Sequence, residues 1–188
     1  TGAMPNLGQM SVMSGGASPS VVTSFGGAYI IGGLGSDILN AQSGALNVIQ
    51  GGLGRDFIAG GPGQNIFLYK SIADGNDWIK VFNAATDKID LSSLVELESQ
   101  QLHATDWLWL DGGAFTGRAH QITYTYNAAL DRTVVAIDIN GDLKTDFQIQ
   151  ISGRQTLTQS NFVLEHTDKP ASVLGALWSG SGFNLATT

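Results

Sequence analysis

The chain has 188 residues, 25 of them glycine against 4 proline, and it contains no cysteine. Only 13% of residues are charged, the net charge is −7 and the isoelectric point is near 4.6. Disulfides, thiolate zinc sites and cysteine nucleophiles are thereby excluded. An acidic balance disfavours nucleic acid and anionic membranes as partners, and no apolar run approaches the ~18 residues of a membrane span.

A hydrophobic share of 43% alongside so much glycine indicates a turn-rich β fold rather than disorder. A small domain without disulfides needs another brace, for which a divalent cation held by carboxylates is the natural candidate. In chain order, residues 1–24 are rich in Gly, Ser and Met without periodicity and read as a flexible lead-in, with Gly2-Ala3-Met4 as an expression remnant. No basic and apolar signal-peptide pattern opens the chain, so export without an N-terminal signal peptide is expected. Residues 25–69 carry a short glycine-rich repeat, and residues 70–164 turn to period-two alternation. Strands are predicted at Trp107–Leu110, at Gln121–Tyr126, and at Thr133–Ile139 and Thr145–Ser152, the last two joined across Asn140-Gly141. A helical turn is expected over Ser99–Thr105. Residues 165–188 form a Gly/Ser/Thr-rich tail with an apolar cluster at Val173–Trp178.

The repeat carries the chemistry. Gly32-Gly33-Leu34-Gly35-Ser36-Asp37-Ile38-Leu39-Asn40 and Gly51-Gly52-Leu53-Gly54-Arg55-Asp56-Phe57-Ile58-Ala59 both match Gly-Gly-x-Gly-x-Asp-x-U-x, the calcium-binding β-helix nonapeptide. Glycine permits positive φ, so the six-residue turn can aim carbonyls at one point. The aspartate adds the hard anionic oxygen that Ca2+ prefers. Two weaker copies follow the same plan: Gly60-Gly61-Pro62-Gly63-Gln64-Asn65 keeps its glycines but ends on Asn, and Ser43-Gly44-Ala45-Leu46-Asn47 has lost the glycine pair. Gly26-Gly27-Ala28-Tyr29 is a still more decayed copy. In a roll, alternate turns share an edge, which sets Asp37 against Asp56 and Asn47 against Asn65. The main calcium site is therefore expected at Gly33, Gly35, Asp37, Gly52, Gly54 and Asp56. Asn47, Gly61, Gly63, Asn65, Asp74 and Asp77 are weaker metal candidates. The apolar stack is expected from Ile38, Leu39, Phe57, Ile58 and Phe67.

Further motifs bring a family into view. Asn65-Ile66-Phe67-Leu68-Tyr69, then Asp77-Trp78-Ile79, then Asp87-Lys88-Ile89-Asp90-Leu91-Ser92 resemble the C-terminal repeat-in-toxin (RTX) region of serralysin-type metalloproteases. Over the repeats and the last of these segments the chain is also similar to the R-modules of secreted mannuronan epimerases. The resemblance implies an all-β fold, a short parallel β-roll capped by a β-sandwich-like antiparallel portion. It further implies export by a type I secretion apparatus through a C-terminal signal, folding on meeting extracellular calcium, and an upstream catalytic domain as partner. Two departures stand out: Asn161 replaces the family's Asp near the end, and residues 165–188 continue beyond it.

No His-Glu-x-x-His and no Gly-x-Ser-x-Gly occurs, so the chain is expected to have no catalysis of its own. Asp138, Asn140, Asp142 and Asp146 partly imitate an EF-hand loop, but Leu143 and Ile149 stand at its Gly and Glu positions, favouring a plain turn. His103, His120 and His166 lack ligand spacing. Two rival functions remain: an extracellular polysaccharide-binding module with Trp107 and Trp109 as glycan contacts, and a hydrolase of unfamiliar kind.

Overall fold

The computed structural model describes residues 11–16, 19–42, 46–94 and 106–164. The expected turn over 99–105, the tail at 165–188, His103 and His166 lie outside the described residues.

Nine strands build the roll: β1 (Ser11–Ser14), β2 (Val21–Ser24), β3 (Ala28–Leu34), β4 (Ile38–Ala41), β5 (Asn47–Leu53), β6 (Phe57–Ala59), β7 (Asn65–Leu68), β8 (Trp78–Val81) and β9 (Lys88–Asp90). Successive strands alternate between two sheets, and within each sheet these strands pair in parallel. The chain thus coils as a flattened solenoid whose turns fall on two opposite edges. Five more strands complete it: β10 (Leu108–Trp109), β11 (Gln121–Asn127), β12 (Arg132–Asp138), β13 (Phe147–Ser152) and β14 (Phe162–Val163). β14 extends the odd-numbered sheet beside β9, while β13 joins the even-numbered sheet beside β8. β13, β12 and β11 are antiparallel to one another. The fold is all-β among the described residues, a parallel roll continued by antiparallel strands in the same two layers.

Strand alternation explains the core. Side chains point to opposite faces with period two, so each short strand sends one large apolar residue inward. In one sheet the register aligns Ile30, Ile49, Phe67, Ile89 and Phe162. In the other it aligns Val22, Leu39, Ile58, Ile79 and Ile151. All of these side chains belong to one buried cluster, which runs on through Val135, Ile137, Phe147 and Ile149.

Two expectations need correction. The roll starts earlier than residue 25, because β1 and β2 pair with β3 and β4 and add a turn within the supposed lead-in. The segment Gly15-Gly16 … Ser20-Val21-Val22 occupies that turn, a repeat whose Asp has become Ser. Ile38 and Phe57 do not join the inner stack: each precedes an inward residue by one position, and they are 45% and 42% exposed. They line the outer face with Val21 and Trp78, where the Phe57 and Trp78 rings lie 5.0 Å apart and the Arg132 guanidinium sits 3.8 Å over Trp78.

This division predicts unequal costs for neighbouring truncations. Ile58→Ala should lose about 3–4 kcal/mol of unfolding free energy, and Phe57→Ala about 1 kcal/mol. Urea titrations at fixed calcium check the ranking, and equal losses would contradict the assignment of faces.

Candidate metal centre

The turns that precede β4, β6 and β8 fall on one edge, and each ends on an aspartate immediately before its strand. Register stacks these residues one above another. The Asp37 N–H donates to Asp56 Oδ1 at 2.8 Å, and the Asp56 N–H donates to Asp77 Oδ1 at 2.8 Å. At the outer end, Asp37 Oδ1 accepts from the Ser20 N–H at 2.6 Å and the Ser20 hydroxyl at 2.7 Å. Each carboxylate therefore spends one oxygen on the turn before it.

The other oxygen is the informative one. Asp37, Asp56 and Asp77 are all fully buried, yet no donor among the described residues satisfies Oδ2 of Asp37 or Asp56. The Asp77 carboxylate has the Tyr69 hydroxyl beside it. Oδ2 of Asp56 and of Asp77 both approach the α-carbon of Gly51, where a Cβ would collide with them, and Oδ2 of Asp37 stands in the same relation to Gly32. Burying anionic oxygens without a donor or counter-charge is costly. The cost appears in their acidity: burial, with the neighbouring Asp37 and Asp74 charges, raises Asp56 to about 6. Burial and the Asp56 charge raise Asp77 to about 8, against the opposing hydrogen bond from the Asp56 N–H.

The glycines shape the same edge. Gly33 and Gly35 have φ of 115° and 93°, and Gly52 and Gly54 have 93° and 129°, a region that L-residues with a Cβ rarely adopt. Their turns nest closely, with the α-carbon of Gly52 under the Gly33 carbonyl and that of Gly54 under the Gly35 carbonyl. Among the described residues no three acidic or imidazole side chains converge on one point. A cation here would need backbone carbonyls as well as carboxylates, in keeping with the six to eight oxygens that calcium takes.

The opposite edge is built from the same positions with different chemistry. Asn47, Asn65 and Asp87 stand at the entrances of β5, β7 and β9. Asn65 donates its N–H to Asp87 Oδ1 at 2.9 Å, and Asn47 Nδ2 donates to Asn65 Oδ1 at 3.0 Å. Both Asp87 oxygens have donors, Oδ2 from the Asn83 N–H at 2.8 Å. Neither Gly61 nor Gly63 takes a positive φ.

The remaining candidates take structural positions. Asp74 Oδ2 accepts the Lys70 and Ser71 N–H groups at 3.1 and 3.2 Å, capping the short 3-10 turn Ile72–Asp74. It acts on the edge only through its charge, which adds to the rise at Asp56 and Asp77. Asp138 turns its oxygens to the Gly141 and Leu143 N–H groups, and Asp146 turns its own to the Ile139 and Asn140 N–H groups. The loop between β12 and β13 thus folds around its own carboxylates. Trp107 is buried, edge-on to His120. Trp109 is half-buried between Tyr124 and Phe162, with ring centroids 5.5 and 5.3 Å away. The two rings form no open platform for a sugar.

Sequence reasoning placed Asp77 among the weaker metal candidates and passed over Ser20; the structure sets both in one row with Asp37 and Asp56. Asp77-Trp78-Ile79 follows the aspartate-apolar-apolar ending of Asp37-Ile38-Leu39 and Asp56-Phe57-Ile58. The signal was legible, since Gly75-Asn76-Asp77 keeps the last glycine of the nonapeptide, but Ile72-Ala73 stand where the announcing Gly-Gly pair would be.

Comparison with known proteins agrees with this architecture. The model of the family described as peptidase M10 serralysin C terminal matches residues 25–164. Serralysin of Proteus mirabilis is 40% identical over 94 residues, covering 46% of this chain and 18% of that protein. The chain therefore spans under a fifth of that relative's length. Two solution structures of subunits from the Azotobacter vinelandii mannuronan C5-epimerase share the fold. AlgE6R3 superposes with a TM-score of 0.59 at 20% identity, over 99% of this chain and 96% of its own. AlgE6R2 gives 0.56 at 21%, over 83% and 92%. With a family model covering most of its length and a repeat edge of the matching kind, the chain belongs to the serralysin C-terminal family.

Proposed function

We propose that this chain is a calcium-stabilised RTX module of a type I-secreted exoprotein, serving export and folding rather than catalysis. The observation that carries the reading is the Asp37–Asp56–Asp77 edge, where the buried Oδ2 atoms of Asp37 and Asp56 have no donor among the described residues and lie beside nested positive-φ glycine turns. Asp37 and Asp56, with backbone carbonyls of the Gly33, Gly35, Gly52 and Gly54 turns, would hold Ca2+, and Asp77 extends the same row. Bound there, the ion supplies the positive charge that the row lacks. The carboxylates and the glycine geometry are the chain's own contribution: they hold the oxygens buried and oriented, at the expense of mutual repulsion in the metal-free fold.

That repulsion suits an exported chain. Where calcium is scarce the row opposes its own closure, and where calcium is plentiful binding energy adds to folding energy. Membership of a family typified by a secreted protease supports the extracellular setting, with an upstream domain of the same exoprotein as the partner. The polysaccharide-binding alternative draws no support from Trp107 and Trp109 as they are packed.

The experiment pairs calorimetric calcium titration with thermal unfolding of the wild type and of the Asp37→Asn/Asp56→Asn double variant. For the wild type, calcium at about 100 times its dissociation constant should add roughly 2.7 kcal/mol per site. The double variant should lose that gain, yet in chelator at pH 8 it should be the more stable protein, because neutral amides relieve the buried repulsion. A wild type indifferent to calcium would overturn the reading.

The pH dependence has a definite sign. Asp56 and Asp77 have folded-state values raised from 3.8 to about 6 and about 8, so the metal-free fold binds more protons than the unfolded chain in that window. Their contribution to stability is present below about pH 4 and is lost as pH rises through 6 and then 8. Melting temperatures in chelator should therefore fall between pH 5 and 8.5, and excess calcium should flatten the decline; a rise in chelator would contradict it.

A further inference from the structure

We propose that the side-chain amide nitrogen of Asn65 takes the place of a cation at the second edge, so that this edge closes without metal and calcium dependence is confined to the aspartate edge. The inference rests on the reading of the aspartate edge as the calcium-holding one, and it adds a self-supplied counterpart across the roll. Three oxygens converge on Asn65 Nδ2: the Gly61 carbonyl at 2.9 Å, the Gly63 carbonyl at 3.1 Å and Asp87 Oδ1 at 3.1 Å. The two carbonyls belong to the glycine-rich turn that precedes β7, as Gly33 and Gly35 belong to the one that precedes β4. An amide NH2 carries two hydrogens and partial positive charge, and it satisfies such oxygens at N···O distances of about 2.7–3.2 Å. Calcium would draw them to about 2.3–2.6 Å. The cage is sized for N–H donors.

The charge count agrees. The aspartate edge stacks three carboxylates, two of which leave Oδ2 without a donor among the described residues. The asparagine edge holds Asp87 alone, whose Oδ1 receives the Asn65 N–H, Asn65 Nδ2 and the Thr86 hydroxyl, while Oδ2 receives the Asn83 N–H. Every Asp87 oxygen is thus served by a donor, and no counter-ion is called for. Asn65 Oδ1 in turn accepts from the Gly61 N–H and from Asn47 Nδ2, so both ends of the amide are engaged. On loss of calcium the roll should loosen along one edge and remain closed along the other.

Hydrogen exchange of the whole chain, followed by NMR with calcium and with chelator, reads both edges at once. The reporters are the Asp37 and Asp56 N–H groups on one edge, and the Asn47 and Asn65 N–H groups, bonded to the Gln64 carbonyl and Asp87, on the other. Chelator should speed exchange at the first pair at least about tenfold and at the second by less than about threefold. Equal acceleration at all four would overturn the inference while leaving calcium binding intact. If no amide responds, the calcium reading of the aspartate edge fails, and Asn65→Asp decides the remainder. That variant removes the amide donor and places a second carboxylate against Asp87, so exchange at Asn47 should become calcium-sensitive and calorimetry should count one more calcium ion. A folded variant that gains neither property would refute the role given to the amide. If the variant does not fold, the wild-type contrast between the two edges decides by itself for or against the inference.

Discussion

Everything in the roll hangs on one recurrent hydrogen bond, from a backbone N–H to the side-chain oxygen of the residue one turn further along the same edge. It joins Ser20 to Asp37, Asp37 to Asp56, Asp56 to Asp77 and, across the roll, Asn65 to Asp87. These bonds span 17 to 22 residues of sequence, so each one closes a full turn. The N–H concerned stands at the entrance of a short strand, where the parallel ladder has yet to supply it with a partner. A side-chain oxygen at this position both satisfies that donor and fixes the height of the next turn. Hydrogen bonds to ionised acceptors are worth about 1.5–3 kcal/mol each, and here they set register as well, since a slip of one residue would turn the apolar ladder outward.

The choice of side chain at this one position decides what else the edge requires. A carboxylate satisfies the N–H with one oxygen and leaves a second anionic oxygen inside the protein. Repeated three times, it builds a buried column of like charges about one strand spacing, ~4.8 Å, apart; burial first, and the neighbouring charges after it, raise Asp56 and Asp77 above the usual carboxylate range. A carboxamide there brings its own donor: Asn65 Nδ2 donates to the Gly61 and Gly63 carbonyls and to Asp87, while the Asn47 N–H turns to the Gln64 carbonyl. One backbone plan thus yields two edges, one dependent on an external cation and one self-sufficient. Ser20 ends the aspartate column at its outer end by donating twice to Asp37 and presenting no charge of its own.

The parts that could be read from the sequence are those where local chemistry dictates geometry. The two full nonapeptides fixed which aspartates meet, because glycine at Gly33, Gly35, Gly52 and Gly54 is required by positive φ and close nesting. Strands β11, β12 and β13 were legible from alternation and fell within a residue or two of expectation. What escaped were turns that keep only part of the motif, Gly15-Gly16 before β2 and Gly75 before β8. The turn before β2 ends on Pro19-Ser20, and the turn before β8 is a 3-10 segment capped by Ser71 and Asp74. In both the stacked position is filled, by Ser20 and by Asp77, although the turn motif is incomplete. Facing was misread at Ile38 and Phe57 because two consecutive apolar residues leave the inward one undecided until the register is known.

That the stacked position is filled where the turn motif is incomplete has a physical reason. A turn can reach the next strand by several routes: nested glycines, a 3-10 segment, or the Thr86–Asp87 bend held by Asn83. The N–H at the strand entrance, however, must find an acceptor inside the protein: an aspartate one turn on for Asp37, Asp56 and Asn65, and a main-chain carbonyl for Asn47 and Asp87. Residues Asp37, Asn47, Asp56, Asn65, Asp77 and Asp87 are all buried, so none can leave its donor to solvent, and a hydrophobic replacement would orphan a main-chain group in the interior. The turn sequence therefore differs from one repeat to the next, while the need for a buried acceptor recurs in each. What separates the two edges of this molecule is the side chain at the stacked position, Asp37, Asp56 and Asp77 on one and Asn47, Asn65 and Asp87 on the other.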